Sequence, residues 1–211
     1  MAGVSEAIVR EYFEQLGFMV NQPSKYVVTG RKKTAEDEMD LVVFNPLANE
    51  QRIPDHLLWR TEDLSGISRA IVAVRGWHSE RFSKKLFESV PEILRFAEEA
   101  TVRIAGRKLG STNVVKILCL AELPASEDMK QSTLDLLKSK GIDGVLLFRT
   151  ILSHLVLHVD RNKNYERSDL QQTIRIFKSY NMLKGDQLDF FEKKSRKSKV
   201  KAESQADGAA L

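Results

Sequence analysis

The run Ala70–Arg75, read AIVAVR, is apolar at every position before its closing arginine. A strand with one wet face would alternate apolar and polar residues. A run that does not alternate needs cover on both faces. Val114–Ala121 is apolar apart from Lys116, and helical patterns stand between and after the two runs. Such a chain is restricted to a sheet with helices laid against it. The order of the patterns predicts an α/β sandwich with a mixed central sheet.

The remaining elements fill in around those two runs. Val4–Leu16 is an amphipathic helix, with Ile8, Tyr12 and Leu16 at helical spacing, Ser5 as its cap and Gly17 just past its end. Phe18–Val20 and Lys25–Thr29 are short strand candidates, and Gly30–Asp37 is a charged loop. Glu38–Phe44 is a strand whose period of two sets Glu38, Asp40, Val42 and Phe44 on one face and Met39, Leu41 and Val43 on the other. Asn45–Pro46 ends it. Leu47–Ser68 has no clean period and is expected as an irregular excursion with a short helix near Pro54–Trp59. Loops of that length are usually functional or mobile. In the run Ala70–Arg75, Ile71, Ala73 and Arg75 share a face. Ser79 is expected to open a helix with Phe82, Leu86 and Val90 on its buried side. Ser89-Val90-Pro91-Glu92 signals either a second helix start or a kink, with helix continuing to about Ile104. Ser126–Lys140 is a helix closed by Gly141. Gly144–Phe148 and Leu155–Val159 are strand candidates, and Ser168–Leu183 is a final amphipathic helix.

The charge is unevenly placed. The chain carries a net +4, and six Lys/Arg against two Asp/Glu fall between Lys193 and Leu211, so residues before Lys193 sum to zero. A lysine-rich end favours nucleic acid or another polyanion through phosphate contacts and counterion release, or else simply solvates the chain. Residues 1–185 read as one domain and 186–211 as a basic tail. Cys119 is the only cysteine and lies in an apolar run, which suits a reducing cytosol. No run is long and apolar enough to span a membrane, and no secretory signal pattern opens the chain. The expected location is cytoplasmic.

Four features, spread over roughly Val4–Ala121, resemble the restriction-endonuclease-like, or PD-(D/E)xK, superfamily, including its resolvase and RecB-like nuclease members. A first helix carries Glu6, and a strand carries Asp40. The next strand ends in a basic residue, Arg75, followed by Gly76-Trp77, and a helix then follows. The resemblance implies a three-layer core with a central mixed sheet flanked by helices. It also implies a magnesium-dependent DNA nuclease of repair, replication or restriction. In that family, carboxylates on adjacent strands hold magnesium through hard oxygen ligands, the metal activates water, and a lysine orients it. Asp40 matches the first metal ligand and Glu6 the helical glutamate of some members.

The match then fails where the chemistry is concentrated. Residues 73–75 read Ala-Val-Arg where the motif asks for Glu/Asp-x-Lys. Alanine offers no oxygen to a metal. An arginine does not serve as a base, although its planar fork holds phosphate well. The sequence therefore points to a degenerate centre in a DNA-associated protein. Two rescues would restore hydrolysis: Glu38, on the same predicted face as Asp40, or a carboxylate from the following helix, with Glu88 better spaced than Glu80. Against these stands a structural role for Asp40 as a strand-end acid paired with Arg75. A third reading keeps the fold alone, as a protein-interaction module. Arg75, Trp77, Arg81, Lys84 and Lys85, with Arg69, are the candidate DNA-binding side chains. Trp77 suits either base stacking or packing. His78 is a helix-start or solvent-facing residue sooner than an acid–base group. His154 and His158 lack a third ligand nearby.

Gln187-Leu188-Asp189-Phe190-Phe191 lies before the lysine-rich end. It resembles the sliding-clamp-binding pentapeptide of bacterial replication and repair proteins, with Phe190 in place of leucine. The resemblance implies Gln187 in a polar pocket and Leu188, Phe190 and Phe191 as apolar anchors on a bacterial sliding clamp. The alternative is that Leu188 and Phe191 fold back on the core. A homodimer is implied only by the habit of the nuclease fold.

Overall fold

A computed structural model describes residues 2–23 and 38–183. The strand and loop expected at 25–37, and the motif at 187–191 with the basic tail, lie outside the described residues.

In chain order the elements are α1 (Ala2–Gln15), β1 (Met19–Asn21), β2 (Leu41–Phe44), a 3-10 segment (Thr61–Gly66), β3 (Arg69–Arg75), α2 (Lys84–Ser89), a 3-10 segment (Pro91–Ala97), α3 (Glu99–Leu109), β4 (Val115–Leu120), α4 (Glu127–Ser139), β5 (Gly144–Leu147), α5 (Phe148–His158) and α6 (Asp169–Ser179). The strands form one sheet in the order β1-β2-β3-β4-β5. β1, β2 and β3 pair antiparallel, while β3, β4 and β5 pair parallel. The mixed sheet flanked by helices, expected from the sequence, is present.

β3 is central and covered on both faces, as its lack of alternation demands. Ala70, Val72 and Val74 join a core with residues of α1, α5 and α6 and with Trp59, Leu64 and Ile67. Ile71 and Ala73 join a second core with Phe82, Phe87, Phe96, Ala105 and residues of α4. Cys119 of β4 lies in the first core, where burial pushes its thiol well above the usual cysteine range.

Several elements differ from the sequence reading, each for a local reason. β2 begins at Leu41, not Glu38. The Asp40 carboxylate accepts the Val74 N–H at 2.8 Å, taking a β3 donor that a longer β2 would have used. Met39 then packs with Val42 rather than opposite it. Residues 54–59 are not helical: 55–57 bend, Leu58 bridges Val145, and Trp59 N donates to Val145 O at 2.8 Å. The helical turn comes later, at Thr61–Gly66. Ser83, not Ser79, caps the helix after β3, accepting from Leu86 N, because Phe82 N is first tied to Glu122 O at 2.9 Å. Pro91 does start a new helical piece, and extended Glu98 separates it from α3. Leu155–Val159 is not a strand: Ile151 and Leu155 are buried one turn apart on α5, which starts at Phe148 as soon as β5 ends. α1 begins at Ala2, so Ser5 is internal to it. α6 stops at Ser179, with Asn181 in the left-handed region at φ 54°.

One side chain ties the two ends of the excursion 47–68 together. Gln51 Oε1 accepts from Ser68 N (2.9 Å), Ser68 Oγ (2.5 Å) and Arg69 N (3.0 Å), and its Nε2 donates to Arg69 O (2.9 Å). No helix among the described residues is long and apolar enough to cross a membrane.

Candidate functional site

Two sequence-selected side chains, Asp40 and Arg75, meet at one end of the sheet. β2 runs antiparallel to β3, with Leu41 opposite Val72, so Asp40 stands beside the last residues of β3. Arg75 closes that strand, and its Nη1 donates to Asp40 Oδ2 at 2.7 Å and to Val74 O at 3.1 Å. Its Nη2 donates to Ile93 O at 3.1 Å. The pair is nearly dry: the side chains are 13% and 6% exposed for Arg75 and Asp40. In so little water the attraction between the charges is strong, and it has to be, because both have been desolvated.

Glu6 comes to the same end from the helical layer. It is buried and accepts from Gln22 Nε2 at 2.8 Å. Gln22 follows β1, whose Asn21 is opposite Val42, so it lies level with the start of β2. Ser5, next to Glu6, packs against Gly76, next to Arg75; a Cβ on Gly76 would collide with the Ser5 side chain. Ser5 Oγ and His78 Nε2 are 3.1 Å apart, and the His78 ring meets Phe148 edge-on.

The stretch after Arg75 carries the other candidates over the sheet's end. Trp77 is 43% exposed and stacked on Phe82, so half its surface packs and half faces water. Arg81 pairs with Glu122 at 3.3 Å, and Lys84 lies 4.0 Å from Glu88 one turn along α2. Lys85 is exposed beside them. Arg69 is separate from this group. It stands at the other end of β3, where its guanidinium covers the Phe44 ring and its Nε donates to Leu109 O.

The carboxylates offered for magnesium are each engaged elsewhere. Asp40 holds Arg75 and the Val74 amide, Glu38 faces Arg95 at 4.0 Å, and Glu88 faces Lys84. Among the described residues no group of three His, Cys, Asp or Glu side chains is placed to hold a metal ion. The donor set as arranged does not fit a divalent ion, because a guanidinium already sits on its first oxygen.

His154 and His158 stack with centroids 3.9 Å apart on α5, and His154 also meets Tyr12 edge-on. Burial, and then the neighbouring His158, lower the pKa of His154. Tyr12 donates to or accepts from Thr61 Oγ1 at 3.0 Å, and burial raises its phenol pKa well above the ordinary value. This cluster is packing between α1 and α5.

Sequence reasoning missed the groups that fix the site without being charged. The Ile93 carbonyl and Gln22 have no local signature, and Ser5 reads locally only as a helix cap, since each acts through a fold that joins distant segments. In comparisons with known proteins, no family model, no curated protein and no solved structure matches the chain.

Proposed function

We propose that this protein is a DNA-associated protein with a nuclease-like core, in which an internal cation stands where a magnesium-dependent nuclease would hold its metal. One observation carries the reading: Arg75, at the position of the motif's lysine, closes on Asp40 at 2.7 Å with its fork further spent on Val74 O and Ile93 O. That arrangement keeps the acid and the strand pairing and removes the hydrolytic role. The contacts left for DNA are those past β3, namely Trp77, Arg81, Lys84 and Lys85, together with the basic residues after Lys193. Gln187, Leu188, Phe190 and Phe191 are the segment that would bring the protein to a sliding clamp.

The test is cleavage and binding of linear, single-stranded and branched DNA with magnesium or manganese, beside Asp40→Ala. No cleavage is expected, with salt-sensitive binding that Lys84→Glu/Lys85→Glu weakens by about tenfold. Metal-dependent cleavage that disappears in Asp40→Ala would overturn the reading in favour of a working nuclease. Absence of binding at low salt would leave a protein-interaction module.

A further inference from the structure

Two consecutive side chains straddle the end of the sheet where β3 stops. Trp77 turns to one face and stacks on Phe82, with ring centroids 5.6 Å apart, and Phe82 belongs to the core that holds α2 and α4. His78 turns to the other face. Its ring meets Phe148 edge-on at 4.7 Å, its Nε2 lies 3.1 Å from Ser5 Oγ, and Phe148 belongs to the core that holds α1 and α5. Both side chains are exposed, Trp77 by 43%. Arg75 is opposite Leu120 and Leu120 opposite Leu147, so β3 and β5 stop level with each other, two strand spacings or roughly 10 Å apart. The chain past Leu147 therefore emerges beside the chain past Arg75. It brings Arg149, next to Phe148, which is exposed and, among the described residues, in no ion pair.

This rim has a flat ring in the middle and cations to either side. Arg81, Lys84 and Lys85 are exposed on the side of Phe82 and α2, and Arg149 is exposed on the side of Phe148 and α5. Part of that charge is offset, because Arg81 faces Glu122 at 3.3 Å and Lys84 faces Glu88 at 4.0 Å. A duplex offers such a rim its phosphates, while the faces of its bases are covered by their neighbours in the stack. An unpaired base has a free face, and any base can stack on an aromatic side chain. The Trp77 indole is anchored for that contact. The Phe82 ring beneath it is fully buried and packs in turn on Phe87 at 5.9 Å. A ring already held in place loses little freedom when a ligand covers it.

We infer that this rim binds unpaired DNA, with one base stacked on Trp77 and the strand's phosphates passing between Arg149 and the cations that open α2. The inference rests on the DNA-associated reading and narrows it to a single strand, a gap or a frayed end.

Tryptophan emission reads the contact. Of the two tryptophans, Trp59 is 1% exposed and out of reach of a base, which leaves Trp77 as the reporter. The full chain is titrated with a short single strand, with the same sequence as a blunt duplex, and with that duplex interrupted by a single-stranded gap. The single strand and the gapped duplex should quench the emission, and the blunt duplex should not. Trp77→Ala should weaken single-strand binding about tenfold and leave duplex binding nearly unchanged. Trp77→Phe keeps a ring against Phe82 and a ring for stacking, so it should retain most of the affinity while the quenching disappears. It is the variant to read if Trp77→Ala lowers the melting temperature. Arg149→Gln should weaken single-strand binding and reduce its slope of log K against log salt by about 0.7. Equal affinity for single strand and duplex with no quenching would overturn the inference and leave the DNA-associated reading standing. Full single-strand affinity in a folded Trp77→Ala chain would overturn it in the same way. Failure to bind any of the three DNAs would overturn both.

Discussion

Asp40 and Arg75 depend on each other. Removing the carboxylate leaves a guanidinium that is 13% exposed without its counter-charge, and breaking a buried pair in this way costs about 3–5 kcal/mol. Asp40→Ala is therefore expected to lower the free energy of unfolding in urea by about that much. Asp40→Leu combined with Arg75→Met should lose clearly less than Asp40→Ala alone, since no orphaned charge remains. Equal losses would mean the pair is not the buried unit described. His154 gives a prediction with a pH sign. Burial and the stacked His158 lower its pKa in the folded chain, so the unfolded chain binds the proton more readily. Its contribution to stability is present above the unfolded value of about 6.5 and is lost as pH falls through it. Unfolding midpoints measured from pH 7.5 down to 5.5 should fall, and His154→Gln should flatten that slope. At this scale the sequence exposed the charged partners, because an acid before one strand and an arginine closing the next are visible in order. It did not expose the Ile93 carbonyl that takes the other arm of the fork, since a backbone acceptor has no residue type.

β5 and α5 show what an element needs beyond its own pattern. The run Gly144–Leu147 is a strand of only four residues, and it survives by pairing with β4 on one edge and with Leu58 and Trp59 on the other. Gly144 matters here because the Trp59 indole lies against it, and a Cβ would run into the ring. Trp59 is 1% exposed, with Nε1 donating to His56 O at 2.9 Å, so the ring has little freedom to move. Gly144→Ala is expected to destabilise by about 1–3 kcal/mol, as overpacking does, and to change the intrinsic tryptophan emission. Wild-type emission and an unchanged urea midpoint would show that the ring yields. The central strands were legible because their continuous apolar character allows little else. Leu155–Val159 was not, because a short apolar run reads equally as strand or buried helix turn until its neighbours are placed. The excursion 47–68 was legible only as irregular. Its order comes from buried Trp59, Leu64 and Ile67 and from Gln51, a side chain whose four bonds all go to residues 68 and 69.

Across the whole molecule the question is where a polyanion would be held. Several cations of the described residues face a carboxylate: Arg81 with Glu122, Lys84 with Glu88, Arg95 with Glu38 and Glu92, Arg103 with Glu99, and Lys116 with Asp143. A cation facing a carboxylate contributes little net field at a Debye length of about 8–10 Å. The excess lies from Lys193 onward, where six Lys/Arg face two Asp/Glu. If DNA is bound as proposed, the salt dependence of binding counts the phosphates each part neutralises, at about 0.9 per contact on duplex DNA. Replacing Lys193, Lys194, Arg196 and Lys197 with glutamine should reduce the slope of log K against log salt by about 3–4, measured by anisotropy on one duplex. Lys84→Glu/Lys85→Glu should lower affinity while changing that slope by no more than about 2. The two effects separate because the first removes cations with few acids among them, whereas the second acts where Glu88 already offsets one lysine. A slope left intact by the four glutamines but flattened by the α2 reversal would move the DNA from the chain's basic end to the surface past Arg75. There, Trp77 would become the next group to substitute.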